Sequence, residues 1–254
     1  TEYVVDPNGT DPPLRYTKSV NTYDAAYGNL LLTRLTSEAA PTIPYRTIKR
    51  VYSPRNDGTT YIVNRVAEEK LFAGSESGTC QGQTRTIYDN YSGYAAYNQA
   101  PTAGQVREVW RAGQGGSACD ANWVKAASYG YDSFGNRQDE TTASGQSTTT
   151  TYDSLFHSYP LAVSVQPASG LGGATLTTTI TRYGINATAG GSGLVGQVQS
   201  ETDANEAVTL YTYDAFGRLT EVRLSLILIS EPTRLLSISY AVFCLKNTTR
   251  SSQR

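Results

Sequence analysis

The sequence predicts an all-β fold built from repeated antiparallel β-hairpins, and three observations support this prediction. Tyr211–Leu219 reads YTYDAFGRL, and a near copy, Tyr129–Arg137, reads YGYDSFGNR 82 positions earlier. The 254 residues include 19 Tyr and 23 Gly but only 5 Phe and no Met. This composition is typical of strands and turns, because aromatic residues fit pleated surfaces and glycine fits turns. No stretch keeps the 3.6-residue apolar period of a long helix.

Each copy is predicted to form the tip of one hairpin. The tyrosines of the later copy lie two positions apart, so an extended strand points both of them to one face. An aspartate then accepts hydrogen bonds from backbone N–H groups two residues on, and a glycine supplies the positive φ that the turn needs. The phenylalanine is expected to cap the tyrosines. The residues of this structural motif are Tyr131, Asp132, Phe134 and Gly135 in the first copy, and Tyr211, Tyr213, Asp214, Phe216, Gly217 and Arg218 in the second.

Degenerate copies of the motif recur along the chain. Thr22–Asn29 carries one extra residue before its glycine, and Thr151–Phe156 keeps the aromatic residue but has no glycine after it. Ile87–Asn90 contains the Tyr-Asp pair and begins a longer segment than the other copies have. Self-similarity of this kind is the signature of stacked supersecondary units.

The pattern Tyr-Asp-x-x-Gly followed by Arg or Asn and an alternating strand resembles the YD repeat of the Rhs family. This family includes bacterial polymorphic toxins, insecticidal toxin-complex subunits and animal teneurins. We assign residues 1–124 to a divergent Rhs-like β region and residues 125–223 to YD-repeat hairpins. The resemblance implies a ribbon of β-hairpins that forms part of a spiral β-sheet shell, which in bacterial members encloses a variable C-terminal toxin domain.

On this interpretation the chain is a fragment, a wall segment without enzymatic activity. Its partner is the encapsulated toxin domain of the same parent chain, and its location is secreted or at the cell surface. The absence of a starting Met also suggests a cut end. Such a fragment is expected to be marginally stable and prone to aggregate, because a cut through a spiral exposes strand edges.

Residues 224–254 differ in composition from the rest of the chain. Residues 1–223 are rich in Tyr, Gly and Thr, whereas this stretch is rich in Leu, Ile and Ser. It resembles the conceptual translation of a sequencing-library adaptor. We therefore expect a non-native tail. The alternatives are a pair of buried strands or a short hydrophobic anchor, and the charges of Glu231 and Arg234 disfavour the anchor.

Charge and hydropathy narrow the classes of partner. The formal net charge is −1, whereas nucleic-acid binding calls for a basic stripe, so no nucleic-acid partner is predicted. The chain holds no signal peptide and no apolar run of about 18 residues, so no membrane span is predicted.

The sequence contains no recognisable catalytic constellation and suggests no cofactor. The only histidine, His157, follows a repeat tip and is expected to be an exposed turn residue. Aspartates recur with the repeat, which favours a role in turns over one in acid–base chemistry; they are Asp24, Asp89, Asp132, Asp153 and Asp214. Asp6–Asn8 and Asp203–Asn205 match only the first positions of a calcium loop, so calcium is a weak alternative.

Two cysteines lie in separate Gly/Ser-rich stretches. Cys80 and Cys119 could form a disulfide that closes a loop of about 39 residues. The alternative is two unpaired thiols, and without a histidine cluster they make a poor metal site.

Two further functions remain open at this point. One is a secreted or surface β-repeat module that binds carbohydrate or a protein partner through exposed aromatic residues. The other is a β-solenoid carbohydrate enzyme, which needs clustered carboxylates on one inner face. Aspartates bonded to their own turns would count against the enzyme.

Overall fold

A computed structural model describes residues 17–112, 119, 122–187 and 194–225, and these residues form an almost purely β structure. The chain divides into two compact units, residues 1–177 and 178–254. The residues of the expected tail from 226 onward lie outside the described part, as do Asp6–Asn8.

The described residues of the first unit form twelve strands and a 3₁₀ helix, Tyr94–Ala96. The strands are β1 (Thr17–Tyr23), β2 (Leu30–Ser37), β3 (Ala40–Tyr52), β4 (Arg55–Asn56), β5 (Tyr61–Ile62), β6 (Val66–Ala73), β7 (Cys80–Tyr88), β8 (Val106–Ala112), β9 (Trp123–Tyr131), β10 (Arg137–Thr142), β11 (Ser147–Tyr152) and β12 (Pro160–Gln166). Ten of them lie side by side in chain order, and β4 and β5 form a small separate hairpin between β3 and β6.

The second unit holds β13 (Leu176–Arg182, most of whose residues belong here), β14 (Val198–Thr202), β15 (Val208–Tyr213) and β16 (Leu219–Ser225). These strands also follow one another in chain order and pair antiparallel. The prediction of an all-β fold of consecutive antiparallel hairpins is confirmed. Strand β16 runs two residues past the boundary expected at 223.

The interior of the first unit contains as many polar as apolar side chains. Its fully buried groups include Ala67 and Ile87 but also Thr47, and Glu68 and Glu108 are only 5% exposed. A buried carboxylate must be paired or hydrogen-bonded. Polar pairing between neighbouring hairpins therefore contributes to this fold beside hydrophobic burial.

A β-bulge marks the end of nearly every outgoing strand. The pairing register shifts between Thr22 and Tyr23 in β1, between Val51 and Tyr52 in β3, and between Ile87 and Tyr88 in β7. The same shift recurs beside Tyr131, Tyr152, Arg182 and Tyr213. A bulge bends its strand and increases the local twist, so these shifts repeat the same local distortion from hairpin to hairpin.

Register shifts decide the places of two proline residues and one valine. Pro41 and Pro44 lie inside β3, where the pairing with β2 shifts and a ladder N–H is not required. The bulge in β7 places Val106 opposite Tyr88, and Val106 lines a groove together with Val109.

The structure brings Cys80 and Cys119 together, with their Cα atoms 5.4 Å apart across 39 positions. This distance lies within the range that a disulfide requires. Cys80 begins β7, whereas Cys119 lies between β8 and β9. We propose that the two sulfurs are bonded and tie three neighbouring strands together.

We predict that peptide mapping without reductant finds Cys80 linked to Cys119. Reduction should lower the free energy of unfolding by about 4 kcal/mol, because the bond removes the closure entropy of a long loop from the unfolded chain. The variant Cys244→Ser should keep the bridge and serves as the control. A bond between Cys244 and either partner would contradict the assignment.

Candidate functional site

In each unit, the hairpin tips at the end of the outgoing strands form the site that the repeat motif points to. We call this end of each unit's sheet the Tyr-Asp edge. Its tips in the first unit span residues 24–29, 53–65, 89–105, 132–136 and 153–159, and those in the second span 183–197 and 214–218. Every tip is closed by the same bond, in which the N–H of its first residue donates to the carbonyl of its last residue at 2.7–3.0 Å.

The two full motif copies have the same tip geometry. Asp132 Oδ1 accepts the N–H groups of Phe134 and Asn136, both at 2.9 Å. Asp214 Oδ1 accepts those of Phe216 and Arg218, also at 2.9 Å. Gly135 and Gly217 have φ values of 88° and 76°, in the left-handed region that glycine adopts without strain.

The other Asp oxygen binds the residue that closes each turn. Asp132 Oδ2 accepts the Asn136 side-chain amide at 2.8 Å, and Asp214 Oδ2 accepts Arg218 Nε at 2.6 Å. Arg and Asn at this motif position are therefore alternative donors to one carboxylate. Tyr211, the first tyrosine of the second copy, lies within reach of Glu201, with its hydroxyl 3.5 Å from Oε2.

The degenerate tips use their aspartates in the same way. Asp24 accepts the N–H groups of Tyr27 and Asn29, and Asp89 accepts those of Thr102 and Gln105. Asp153 is only 2% exposed and accepts five backbone N–H groups, from residues 155–159. The aspartates act as turn-formers, as the sequence predicted.

The electrostatics of these turns keep the carboxylates charged. Burial alone would raise the pKa of Asp153, but the surrounding N–H donors outweigh it and hold that pKa well below its usual range. The Arg218 N–H lowers the pKa of Asp214, and the Asn136 amide lowers that of Asp132. Carboxylates fixed in this way are poor acid–base catalysts, which counts against a carbohydrate enzyme that uses them.

In the first unit, the tyrosines that end three outgoing strands bond to the preceding hairpin. The hydroxyl of Tyr52 donates to the carbonyl of Leu30 at 3.2 Å, and that of Tyr88 donates to Val66 at 2.9 Å. The hydroxyl of Tyr152 donates to the carbonyl of Arg137 at 3.1 Å, and Tyr131 occupies the equivalent position at the end of β9. We call this contact the tyrosine clasp.

The acceptor of each clasp occupies the same place in its hairpin. Leu30, Val66 and Arg137 pair with the tyrosine of the previous tip, namely Tyr23, Tyr52 and Tyr131. Val106 has the equivalent position opposite Tyr88. Burial raises the pKa of Tyr88 to about 12 and also raises the pKa of Tyr52 and of Tyr131. These hydroxyls therefore remain protonated donors at physiological pH.

The clasps coincide with a fixed register between hairpins. The residue two positions after each acceptor pairs with the residue three positions before the clasp tyrosine. The pairs are Leu32↔Lys49, Glu68↔Arg85, Glu108↔Ser128 and Asp139↔Thr149 in the first unit, and Ser200↔Leu210 occupies the equivalent place in the second. The register is kept although the tips between these strands differ in length.

Neighbouring tips of the first unit are also bonded side by side. Asn29 Nδ2 donates to the carbonyl of Val63 at 2.8 Å, and Arg65 Nε donates to that of Gly104 at 3.1 Å. Asn136 donates to the carbonyl of His157 in the adjacent tip. These bonds connect the tips along the Tyr-Asp edge.

Comparison with known proteins identifies this repeat. The RHS Repeat family matches residues 195–225, which contain β14, β15 and β16 with the tip at Asp214. Residues 195–225 thus carry an RHS repeat. No curated protein matches it in sequence.

Several solved structures resemble it. The crystal structure of TcdB2-TccC3 is 12% identical to this chain in sequence, with a TM-score of 0.45. The aligned part covers 84% of this chain and 10% of the TcdB2-TccC3 chain. TcdB2-TccC3 without its hypervariable C-terminal region shares 15% identity with a TM-score of 0.44, at 82% and 10% coverage. A Photorhabdus luminescens Tc holotoxin pore shares 13% identity with a TM-score of 0.33, at 81% and 10% coverage. This chain spans about a tenth of the length of those chains.

Three aromatic side chains of the hairpin tips are placed differently from the sequence-based expectation. Phe216 is 85% exposed and so does not cap the tyrosines. Phe134 is 61% exposed and stacks on the ring of His157, with 3.7 Å between ring centroids. His157 is a turn residue with φ 53°, but it is half-buried rather than exposed. The turn directs the phenylalanine away from the strands, where only the next tip can reach it.

Sequence reasoning missed the cluster around Arg85. Arg85 Nε donates to Glu68 at 2.8 Å, and its guanidinium lies 4.1 Å from the ring centroid of Tyr97 and 4.5 Å from that of Trp123. Glu108 accepts the N–H of Gly93 at 2.8 Å. These contacts hold the 89–105 excursion against the sheet. The charged residues within β6, β7 and β8 are the sequence feature from which this cluster could have been predicted.

In the part of the chain that the structure describes, no group of three or more His, Cys, Asp or Glu is arranged to hold a metal ion. Asp203 accepts the N–H groups of Asn205 and Ala207 and so forms a turn. No helix among those residues is long and apolar enough to span a membrane.

We predict that Tyr88→Phe lowers the free energy of unfolding by about 1 kcal/mol, because it removes one clasp and leaves the carbonyl of Val66 without its donor. Chemical denaturation of the full chain measures this change. Tyr61→Phe is the matched control, since Tyr61 is 69% exposed and is not a clasp residue. Equal losses in the two variants would contradict the clasp.

We predict that stability falls as the pH drops below about 4, the unfolded pKa of aspartate. The folded pKa of Asp153 is depressed, so its contribution is present above the unfolded pKa and is lost as the pH falls through the folded one. Asp153→Asn should be less stable at pH 7 and less sensitive to acid. Glu38→Gln, which changes an exposed carboxylate, should keep the wild-type slope. Parallel pH profiles for wild type and Asp153→Asn would refute the prediction.

Proposed function

We propose that this Rhs-repeat chain is a non-enzymatic segment of the wall of a β-cage that encapsulates a toxin domain. The toxin domain would be the C-terminal part of the same parent chain. The assembled protein would act outside the producing cell, secreted or at the cell surface.

The observation that carries the proposal is the repeated connection between hairpins. Each clasp tyrosine of the first unit bonds to the hairpin before it, and its strand keeps one register with that hairpin. A rule that adds each hairpin in the same way can extend a sheet without limit. Bulges that recur from hairpin to hairpin repeat one local bend, which is what a wall that bends around a volume needs.

The chemistry of the tips also supports a structural role. The five repeat aspartates of the described residues bind the N–H groups of their own turns. Their negative charge is used to hold a backbone conformation, so they do not form a pair of free carboxylates for hydrolysis. The chemistry that these tips share is thus the chemistry of a turn.

A second candidate is a surface β-repeat module that binds carbohydrate or a protein partner. The exposed aromatic residues of the Tyr-Asp edge favour it, above all Phe216, which is 85% exposed, and Tyr61, which is 69% exposed. Phe216→Ala should abolish binding to glycans or cell surfaces on this alternative, whereas it should leave a cage intact.

The encapsulation proposal predicts that the parent gene continues past the codon for Arg223 into further Tyr-Asp repeats and then a distinct C-terminal domain.

In the full parent protein, limited proteolysis should spare that C-terminal domain. A double variant, Tyr88→Phe with Tyr152→Phe, should speed its cleavage because two clasps are lost. Tyr61→Phe should not change the rate.

Two results would overturn the proposal. One is a genomic reading frame in which residues 224–254 follow directly and the frame then stops. The other is a C-terminal domain that is cleaved as fast within the parent protein as it is alone.

A further inference from the structure

The excursion at residues 89–105 carries an exposed Asn-Tyr-Ser sequence near its start. Asn90, Tyr91 and Ser92 lie just after β7, and Asn-x-Ser/Thr is the acceptor sequence for N-linked glycans. Asn90 and Ser92 are exposed, whereas Tyr91 between them is half-buried. Among the described residues, none bonds to the side chain of Asn90 or of Ser92. The asparagine and the serine therefore share the open side of this segment.

Backbone bonds fix the segment on both sides of the asparagine. The N–H of Tyr91 donates to the carbonyl of Tyr88 at 3.3 Å, which closes a turn around Asn90. The Asp89 carboxylate binds N–H groups farther along its own tip. On the other side, the Gly93 N–H is bonded to a carboxylate of β8 at 2.8 Å. The fold thus presents Asn90 to solvent in a fixed position, and a bulky group attached there breaks none of these bonds.

The chain contains three other Asn-x-Ser/Thr sequences, and they differ from the one at Asn90. Asn8 and Asn247 lie outside the described residues. At Asn186 the amide is already in use, because Oδ1 accepts the N–H of Arg182 at 2.8 Å and Nδ2 donates to the carbonyl of Ile180 at 3.0 Å. A sugar on that nitrogen would disturb the turn that the amide holds.

The disulfide proposed above points to a compartment in which glycans are added. A bond between Cys80 and Cys119 persists in an oxidising environment, such as the lumen of the endoplasmic reticulum or the cell exterior. Exposed Asn-x-Ser/Thr sequences are glycosylated on surface loops of secreted proteins. The cysteine pair and the exposed asparagine are independent features, and both fit a chain that folds on a secretory route.

We propose that Asn90 is a modification site that carries an N-linked glycan. Asn90 Nδ2 bonds to C1 of an oligosaccharide carried on a lipid pyrophosphate, the bond between C1 and the pyrophosphate oxygen breaks, and Nδ2 loses a proton. The transferase and its donor belong to the secretory compartment. The inference shares only the secreted location with the proposed function and does not depend on the cage.

Translation of the full 254-residue chain, with an added signal peptide, in the presence of endoplasmic-reticulum microsomes tests the site. The enclosed chains are separated by whether Cys80 is linked to Cys119, and peptide-N-glycosidase in heavy-oxygen water then converts each glycosylated asparagine to a labelled aspartate. We expect the label at Asn90 in the disulfide-linked chain. Ser92→Ala should abolish that label, whereas Ser92→Thr should keep it. Ser133→Ala is the matched control, since Ser133 is an exposed tip serine outside any such sequence.

A disulfide-linked chain without the label at Asn90 would overturn the proposal. So would a label at Asn90 that occurs only in chains without the Cys80–Cys119 bond, because the glycan would then be incompatible with the fold. A label at Asn186 alone would also overturn it, since a free and exposed amide would then not select the site. None of these outcomes affects the encapsulation test, which follows the C-terminal domain of the parent protein.

Discussion

A buried hydroxyl group at the end of an outgoing strand needs an acceptor, and in this protein a neighbouring hairpin provides it. Tyr88 is 6% exposed, and its hydroxyl meets the carbonyl of Val66 across the strand boundary. Without that carbonyl, the burial of the hydroxyl would be costly. A single hairpin of this repeat therefore cannot satisfy its own polar groups, and its stability depends on the hairpin beside it.

The clasp works only because the tip fixes the strand that carries it. At the tip of the second unit, Asp214 holds the N–H groups of Phe216 and Arg218, and the bulge before it turns Tyr213 relative to Thr212. A negative charge surrounded by N–H donors is a compact way to fix a turn, because the donors are supplied by the backbone of the turn itself. Side-chain identity matters at few positions, so the degenerate tips at Asp24 and Asp153 keep the turn although their other residues differ.

The sequence predicted the all-β fold and the tips at Asp132 and Asp214 because their chemistry is local. The clasps could not be predicted in the same way, since their acceptors are backbone carbonyls, which every residue has. The motif did not predict the tips that begin at Ser53 and Tyr183, because neither residue is an aspartate. Both tips nevertheless have the closing bond. The Arg85 cluster depends on an excursion that folds back over the sheet, and no short motif encodes that path.

The tips and the strands of this repeat differ in how much change they tolerate. The closing bond spans 4 positions in the tip at Asp132 and 16 in the tip at Asp89. Two doublings of loop length cost only about 1.2 kcal/mol of closure entropy, which contacts such as those around Arg85 can offset. One residue inserted into a strand is different, because it turns every following side chain to the opposite face and moves the tyrosine away from its acceptor. Variation in this fold should therefore accumulate in the tips, while the spacing between each acceptor and the next clasp tyrosine keeps its register.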